Sequence, residues 1–264
     1  MDETAPAPEP TTSDGENRVG LGSVMVAAIP LVLIFALVAI YLISPPFYLR
    51  YVLEGNERED QAVELMTFAS SALAAVVLII CARRLWSVPA PAEAAFAERR
   101  GAAAIVSLIA LATFFFAGEE ISWGQTYVRW ATPDSIRHQV PETNIHNIHG
   151  LPISVNSLGS VFLIVMFIVL PVVWQQRKFN LPRAWRPAIP EWPVVFSMVV
   201  AFALKAVKPL YFQIVVDPKA QTVYIEFIEQ FNEQKEMLVA VTLLMFALYR
   251  LAATRSARPA ARTP

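Results

Sequence analysis

Long apolar stretches, separated by polar or proline-containing connections, set the pattern of this chain. A helix needs ~20 mostly apolar residues to cross ~30 Å of hydrocarbon. Residues 24–43 meet this without a single charge, and Ser44-Pro45-Pro46 then stops the helix. Further runs follow at 62–86, 102–120, 157–174, 192–212 and 236–251. The second opens near Glu64 and closes on Arg83-Arg84, and the third passes through Phe114-Phe115-Phe116 to Glu119-Glu120. The fourth carries Pro171 in its last turn, and the fifth contains Lys205 and Lys208. The sixth follows an acidic helical stretch that begins near Tyr224. No run alternates as a lipid-facing barrel strand does. The pattern predicts an all-α, polytopic transmembrane helix bundle of about six spans. Five is the alternative count, because the fifth run is the weakest.

Composition agrees with the pattern. Hydrophobic residues make up 56% of the 264 and charged ones 16%, against roughly a quarter charged in soluble domains. The net charge of −1 gives no footprint for nucleic acid. Cys81 is the single cysteine, so no internal disulfide forms, and its place in an apolar run predicts an inert packed thiol. Residues 1–20 are rich in Pro, Thr, Asp and Glu and lack an apolar period, which predicts a disordered tail. The first apolar run is too long for a secretory signal and reads as a retained anchor. The expected organisation is a helical membrane domain over 21–253, with a long outer loop at 124–156 and a basic tail at 254–264.

Lys and Arg concentrate in short cytoplasmic loops. Arg83, Arg84, Arg99 and Arg100 fall in the second connection, and Arg177, Lys178, Arg183 and Arg186 in the fourth. Arg250, Arg255, Arg258 and Arg262 close the chain. With six spans these regions share one side, which predicts that both termini are cytoplasmic. The opposite side then collects Glu54, Glu57, Glu59, Asp60, Glu64, Glu119, Glu120, Asp134, Glu142, Asp217, Glu226, Glu229, Glu233, Glu236 and all three histidines. Candidate chemistry is therefore expected on the outer face.

Four pieces of sequence carry it. The apolar cores at 65–80 and 102–117 span only ~24 Å at 1.5 Å per residue, so Glu64 and Glu119-Glu120 should be drawn into the membrane boundary. Bilayer thinning is the alternative. Gly118-Glu119-Glu120-Ile121-Ser122-Trp123-Gly124-Gln125 is read as a continuation of the third helix, with Glu119, Ser122 and Thr126 on one face and Trp123 and Trp130 in an interfacial belt. In the long loop, Glu142, His146 and His149 share a face if the turn is helical, a spacing at which imidazole and carboxylate can hold zinc, manganese or iron. His138 is isolated and reads as a surface residue. Glu226, Glu229, Glu233 and Glu236 form one stripe with apolar flanks, facing either solvent or an interior. Lys205 and Lys208 are the candidate counter-ions, and a structural ion-pair network competes with a metal site.

The strings at 118–125 and Glu142-Thr143-Asn144-Ile145-His146-Asn147 resemble a family of uncharacterised bacterial multi-pass membrane proteins. The resemblance covers the third helix through the long loop and implies a bacterial inner (plasma) membrane location. It brings no established activity.

The leading expectation is an outward-facing site in which Glu64, Glu119 and Glu120 act catalytically beside a divalent cation. His146, His149, Glu142, Glu233 and Glu236 would be its ligands. Such a site would hydrolyse or transfer a group on a lipid or lipid-linked substrate, with a carboxylate as general base. The alternatives are a proton- or cation-coupled transporter or channel component, and a non-catalytic membrane partner of envelope-assembly machinery.

Overall fold

The computed structural model describes residues 21–48, 62–87, 93–128, 130–132, 155–176, 183–214 and 231–256, and among these there is no strand. The main helices are α1 (Leu21–Ile43), α2 (Ala62–Ser87) and α3 (Glu93–Glu120). α4 is built from Val155–Ile164, a π-helical turn at Val165–Val169, and Leu170–Gln175. α5 is Trp192–Ile214 and α6 is Phe231–Ser256. Among the described residues six helices are long and apolar enough to cross a membrane. The weak fifth run is one of them, so the count of six stands over five.

The centre of the bundle is the triad α2, α3 and α6, with α5 against α6 and α1 against α5. Lipid is as apolar as Leu, so helices in a membrane associate by close packing rather than by fleeing water. Small residues permit that approach. α2 contributes Ser70, Ser71, Ala74, Ala75, Cys81 and Ala82, and α3 contributes Ala102, Ala103, Ala110 and Ala117, all buried. Val106, Ile109, Met198, Leu238, Leu243 and Phe246 fill the remaining space. Large apolar side chains such as Val32, Phe35, Leu73, Ile79, Leu108 and Phe114 face outward and are more than half exposed. In water such a surface would be costly, whereas in hydrocarbon it is the solvated face.

Hydroxyls inside this apolar layer bond to the carbonyl one turn back on their own helix. Thr67 donates to Val63 O (2.8 Å), Ser71 to Thr67 O (2.6 Å), Thr113 to Ile109 O (2.7 Å) and Thr242 to Leu238 O (2.7 Å). Each donor is thereby satisfied without water, which the membrane interior does not supply.

α4 owes its irregular middle to Pro171. Proline has no N–H to give to the carbonyl four residues earlier, and the π turn immediately before it absorbs the mismatch. At this turn Phe167 is fully buried, edge-on to Phe246 with ring centroids 5.2 Å apart. The Val155–Ile164 half stands further out, with Leu158 and Val161 exposed.

The bundle has two chemically different ends. At one, Arg250 of α6 is buried and donates to Arg186 O (3.2 Å) and Ile189 O (3.0 Å). Its guanidinium also lies 3.5 Å from Glu191 and over the Phe246 ring. Arg100 covers the Trp86 ring at 4.9 Å at this end. The other end gathers the start of α2, the end of α3 and the start of α6, and it is acidic.

Candidate functional site

Glu120 ends α3, Glu64 lies in the first turn of α2, and Glu233 lies in the first turn of α6 with Glu236 one turn on. α2 packs against both α3 and α6, and because α3 runs opposite to the other two, its last turn lies at the end where α2 and α6 begin. The groups that act electrostatically on Glu120 are Glu236, Glu233, Glu64 and Lys235. Glu64, Glu233 and Glu236, from two other helices, thus lie near enough to Glu120 to act on it electrostatically. Of the stripe's two described members, Glu236 has a side chain 19% exposed and Glu233 is half-buried.

Among the described residues, the cation at the cluster is Lys235. It is 94% buried as a side chain, and its Nζ lies 3.2 Å from Glu236 Oε1. The sequence carries a signal for it, because Lys235 interrupts the acidic stripe directly beside Glu236, whereas the expected counter-ions are Lys205 and Lys208. Those two lie in α5 with side chains outside the described residues.

Glu119 takes a different part. The helix does not continue through 118–125 as the spacing predicted. It ends at Glu120, and Ser122, Trp123 and Gly124 then adopt φ of 47°, 56° and 78°. This left-handed region is unfavourable for side-chain-bearing residues, by roughly 1–2 kcal/mol each. The turn folds the Trp123 indole back onto the last turn of α3. There it packs edge-on to Phe114 and Phe115 at 6.1 Å and 5.4 Å, and its Nε1 donates to Glu119 Oε1 at 2.6 Å. A β-carbon on Gly118 would sit 2.8 Å from that ring, so only glycine admits the indole here. Glu119, Ser122 and Thr126 therefore do not share one helical face, and Trp123 is a structural clamp on Glu119. Gln125 continues the reversal by donating to Thr132 Oγ1 at 2.8 Å.

Next to the cluster, buried Gln234 donates from Nε2 to Tyr48 Oη at 2.7 Å, tying the turn after α1 to the start of α6. Burial pushes the Tyr48 phenol above its ordinary value, a push that the Gln234 hydrogen bond partly opposes.

A groove about 110 Å³ in volume lies between α3, α4, α5 and α6, with Lys235 and Glu236 in its wall. The rest of its lining is almost wholly apolar, from Ile109, Thr113 and Phe116 on one side to Gly159 and Leu163 on the other.

Glu142, His138, His146 and His149 lie outside the described residues, as do Glu226 and Glu229. Among the described residues no three carboxylate, histidine or cysteine side chains are grouped to hold a metal ion. The helices bring carboxylates into a common field, and any chelating set would need ligands from elsewhere in the chain. No family model matches this chain, and no curated protein or solved structure matches it either.

Proposed function

We propose that the chain is an inner-membrane protein of six spans with both termini cytoplasmic, whose acidic end faces outward and works on a lipid or lipid-linked substrate by hydrolysis or group transfer. The observation that carries this reading is the position of Glu120 among Glu64, Glu233 and Glu236. Like charges held together at a membrane boundary are costly, and among the described residues Lys235, ion-paired to Glu236, is one cation that offsets them. A divalent cation would offset the remainder, with His146, His149 and Glu142 completing the ligands that the helices lack. Zinc, manganese or iron suits such a mixed set.

A divalent cation held by those residues would supply Lewis-acid polarisation of the bond to be broken. Glu120 takes a proton from the attacking water or acceptor hydroxyl and returns it to the leaving oxygen or nitrogen. Glu119, clamped by Trp123, holds the end of α3 in register. The arginine-rich opposite end, with Arg83, Arg84, Arg99, Arg100, Arg186 and Arg250, supports this sidedness. A transport role needs a polar path joining the two ends. The described layer between them is Ala, Val, Leu, Met and Phe, with hydroxyls already bonded to their own helices.

The test is lipid mass spectrometry on cells expressing the wild-type chain or Glu120→Gln. The reading expects one lipid or lipid-linked species to be converted only by the wild type, and chelator to stop its conversion in isolated membranes. Identical lipid profiles would contradict it.

A further inference from the structure

α4 is held to the bundle by one half only. Phe167 in its π turn and Pro171 just beyond are buried, and Phe167 stands edge-on to Phe246 at 5.2 Å. Along 157–164, by contrast, no residue is buried. The backbone of Val155–Ile164 packs against no other helix as extensively as the π turn packs against α5. The groove lies on the inner side of this half, between it and Ile109, Ala112 and Thr113 of α3. Helices in a membrane are joined by close packing, so a half that lies off the bundle is an element of low local stability.

Gly159 indicates where that half can go. Glycine inside a helix costs about 1 kcal/mol relative to alanine, and membrane helices keep it where a second backbone comes close. A β-carbon built at Gly159 meets nothing within 4 Å, so the open arrangement makes no use of the glycine. Gly159 lines one side of the groove, and Ala112, another small residue, lines the α3 side. A closed arrangement needs small residues at these two places. It also needs a joint, and the π turn supplies one between the free half and Pro171. π turns and prolines are where helices kink. Gly159 lies about 9 Å from Val165 at 1.5 Å per residue, so a tilt of about 20° carries it about 3 Å toward α3.

We propose that residues 155–164 form a lateral gate, which pivots at the π turn between the open groove of this structure and a closed state with Gly159 packed on Ala112. Open, the groove admits a lipid alkyl chain from the bilayer as far as the Lys235–Glu236 pair in its wall. Closed, α4 itself fills the groove and shuts that pair off from lipid. The gate is the route of entry for the lipid reading above and rests on it for that role, but its motion is measurable without turnover.

The test uses the full chain in phosphatidylglycerol nanodiscs, with Cys81→Ala removing the native thiol. Two pairs, Gly159→Cys with Ala112→Cys and Ser160→Cys with Ala112→Cys, are oxidised with copper phenanthroline. A disulfide needs β-carbons about 3.8 Å apart, closer than any neighbour of a β-carbon at Gly159, so a bond from 159 forms only on closure. At least one pair should cross-link about tenfold faster than Val161→Cys with Ala112→Cys, whose first member is exposed. A phosphatidylglycerol probe with a mid-chain diazirine then reports access. It should label the peptide containing Val239 in the reduced chain, about tenfold less in the cross-linked chain, and fully again after dithiothreitol. The peptide containing Phe35, on the exposed face of α1, should stay labelled throughout.

Failure of both pairs to cross-link while helical circular dichroism is retained overturns the gate, and so does Val239 labelling that locking leaves unchanged. Should both pairs lose the helical signal, nitroxides at the exposed Leu158→Cys and Leu111→Cys decide. Their distance distribution should be broader than that from Val169→Cys, at the anchored turn, to Leu111→Cys, and equal widths overturn the gate. Gated labelling without lipid conversion by the wild type would sink the catalytic reading and leave the gate intact. Lipid conversion by a chain that never closes would do the reverse.

Discussion

The Trp123 indole nitrogen donates to Glu119 Oε1 at 2.6 Å from a residue at φ 56°. A strained backbone persists only where its surroundings over-determine it. Here the hydrogen bond, the two phenylalanine edges and the bare Gly118 backbone do so together. Trp123→Phe keeps the ring and removes the donor. Thermal unfolding in detergent should show a loss of about 1.5–3 kcal/mol, the usual worth of a hydrogen bond to a charged group. An unchanged midpoint would mean that the bond adds nothing.

Gly118→Ala reverses the ordinary sign for a helical glycine. Elsewhere in a helix the change stabilises by about 0.5–1 kcal/mol. At this position the new β-carbon meets the Trp123 ring at 2.8 Å, so a loss of about 1 kcal/mol or more is expected from overpacking. In a double-mutant cycle with Trp123→Ala, the two losses should fall short of their sum, because the clash needs both groups.

At the arginine end, Arg250 and Glu191 should differ sharply. Removing the buried guanidinium in Arg250→Ala leaves the carbonyls of Arg186 and Ile189 without their donor, and a loss of about 3 kcal/mol is expected. Glu191 is half exposed at 51%, so Glu191→Gln should cost about 0.5 kcal/mol or less. Unfolding midpoints of the two variants read the contrast directly.

Tyr48 supplies a pH signature. Its phenol is raised by burial in the folded chain, so the folded state holds that proton more tightly than the unfolded state. The contribution is fully present below the ordinary phenol value of about 10 and is lost as pH rises above it. Wild-type stability should therefore fall more steeply than that of Tyr48→Phe above that pH. Near neutrality Tyr48→Phe should be the less stable by about 1–2 kcal/mol, since buried Gln234 loses its acceptor. Parallel pH profiles would contradict this.

The helices were legible because hydrocarbon imposes a length that apolar runs must meet. The expected 62–86 and 192–212 appear as Ala62–Ser87 and Trp192–Ile214. α3 starts earlier than its apolar core, at Glu93, because a charged first turn still forms helix once it leaves the hydrocarbon. The gathering of Glu64, Glu120, Glu233 and Glu236 at one end was legible from alternating topology and charge. Two features were not. The reversal after Glu120 depends on φ > 0 at Ser122 and Trp123, residue types that prefer other conformations, with Gly118 and Gly124 as the only written hints. The groove depends on a missing side chain at Gly159 and on where the π turn before Pro171 places the rest of α4. Such spaces are set by packing, which no linear pattern encodes.

The most direct test of the central claim is elemental analysis of the purified chain, comparing wild type, Glu120→Gln and the pair His146→Ala with His149→Ala. The account predicts about one divalent ion per wild-type chain, falling about tenfold or more in both variants while the helical circular dichroism is retained. Wild-type protein that carries no ion after purification with added zinc, manganese or iron would contradict it, and so would variants that carry as much as the wild type.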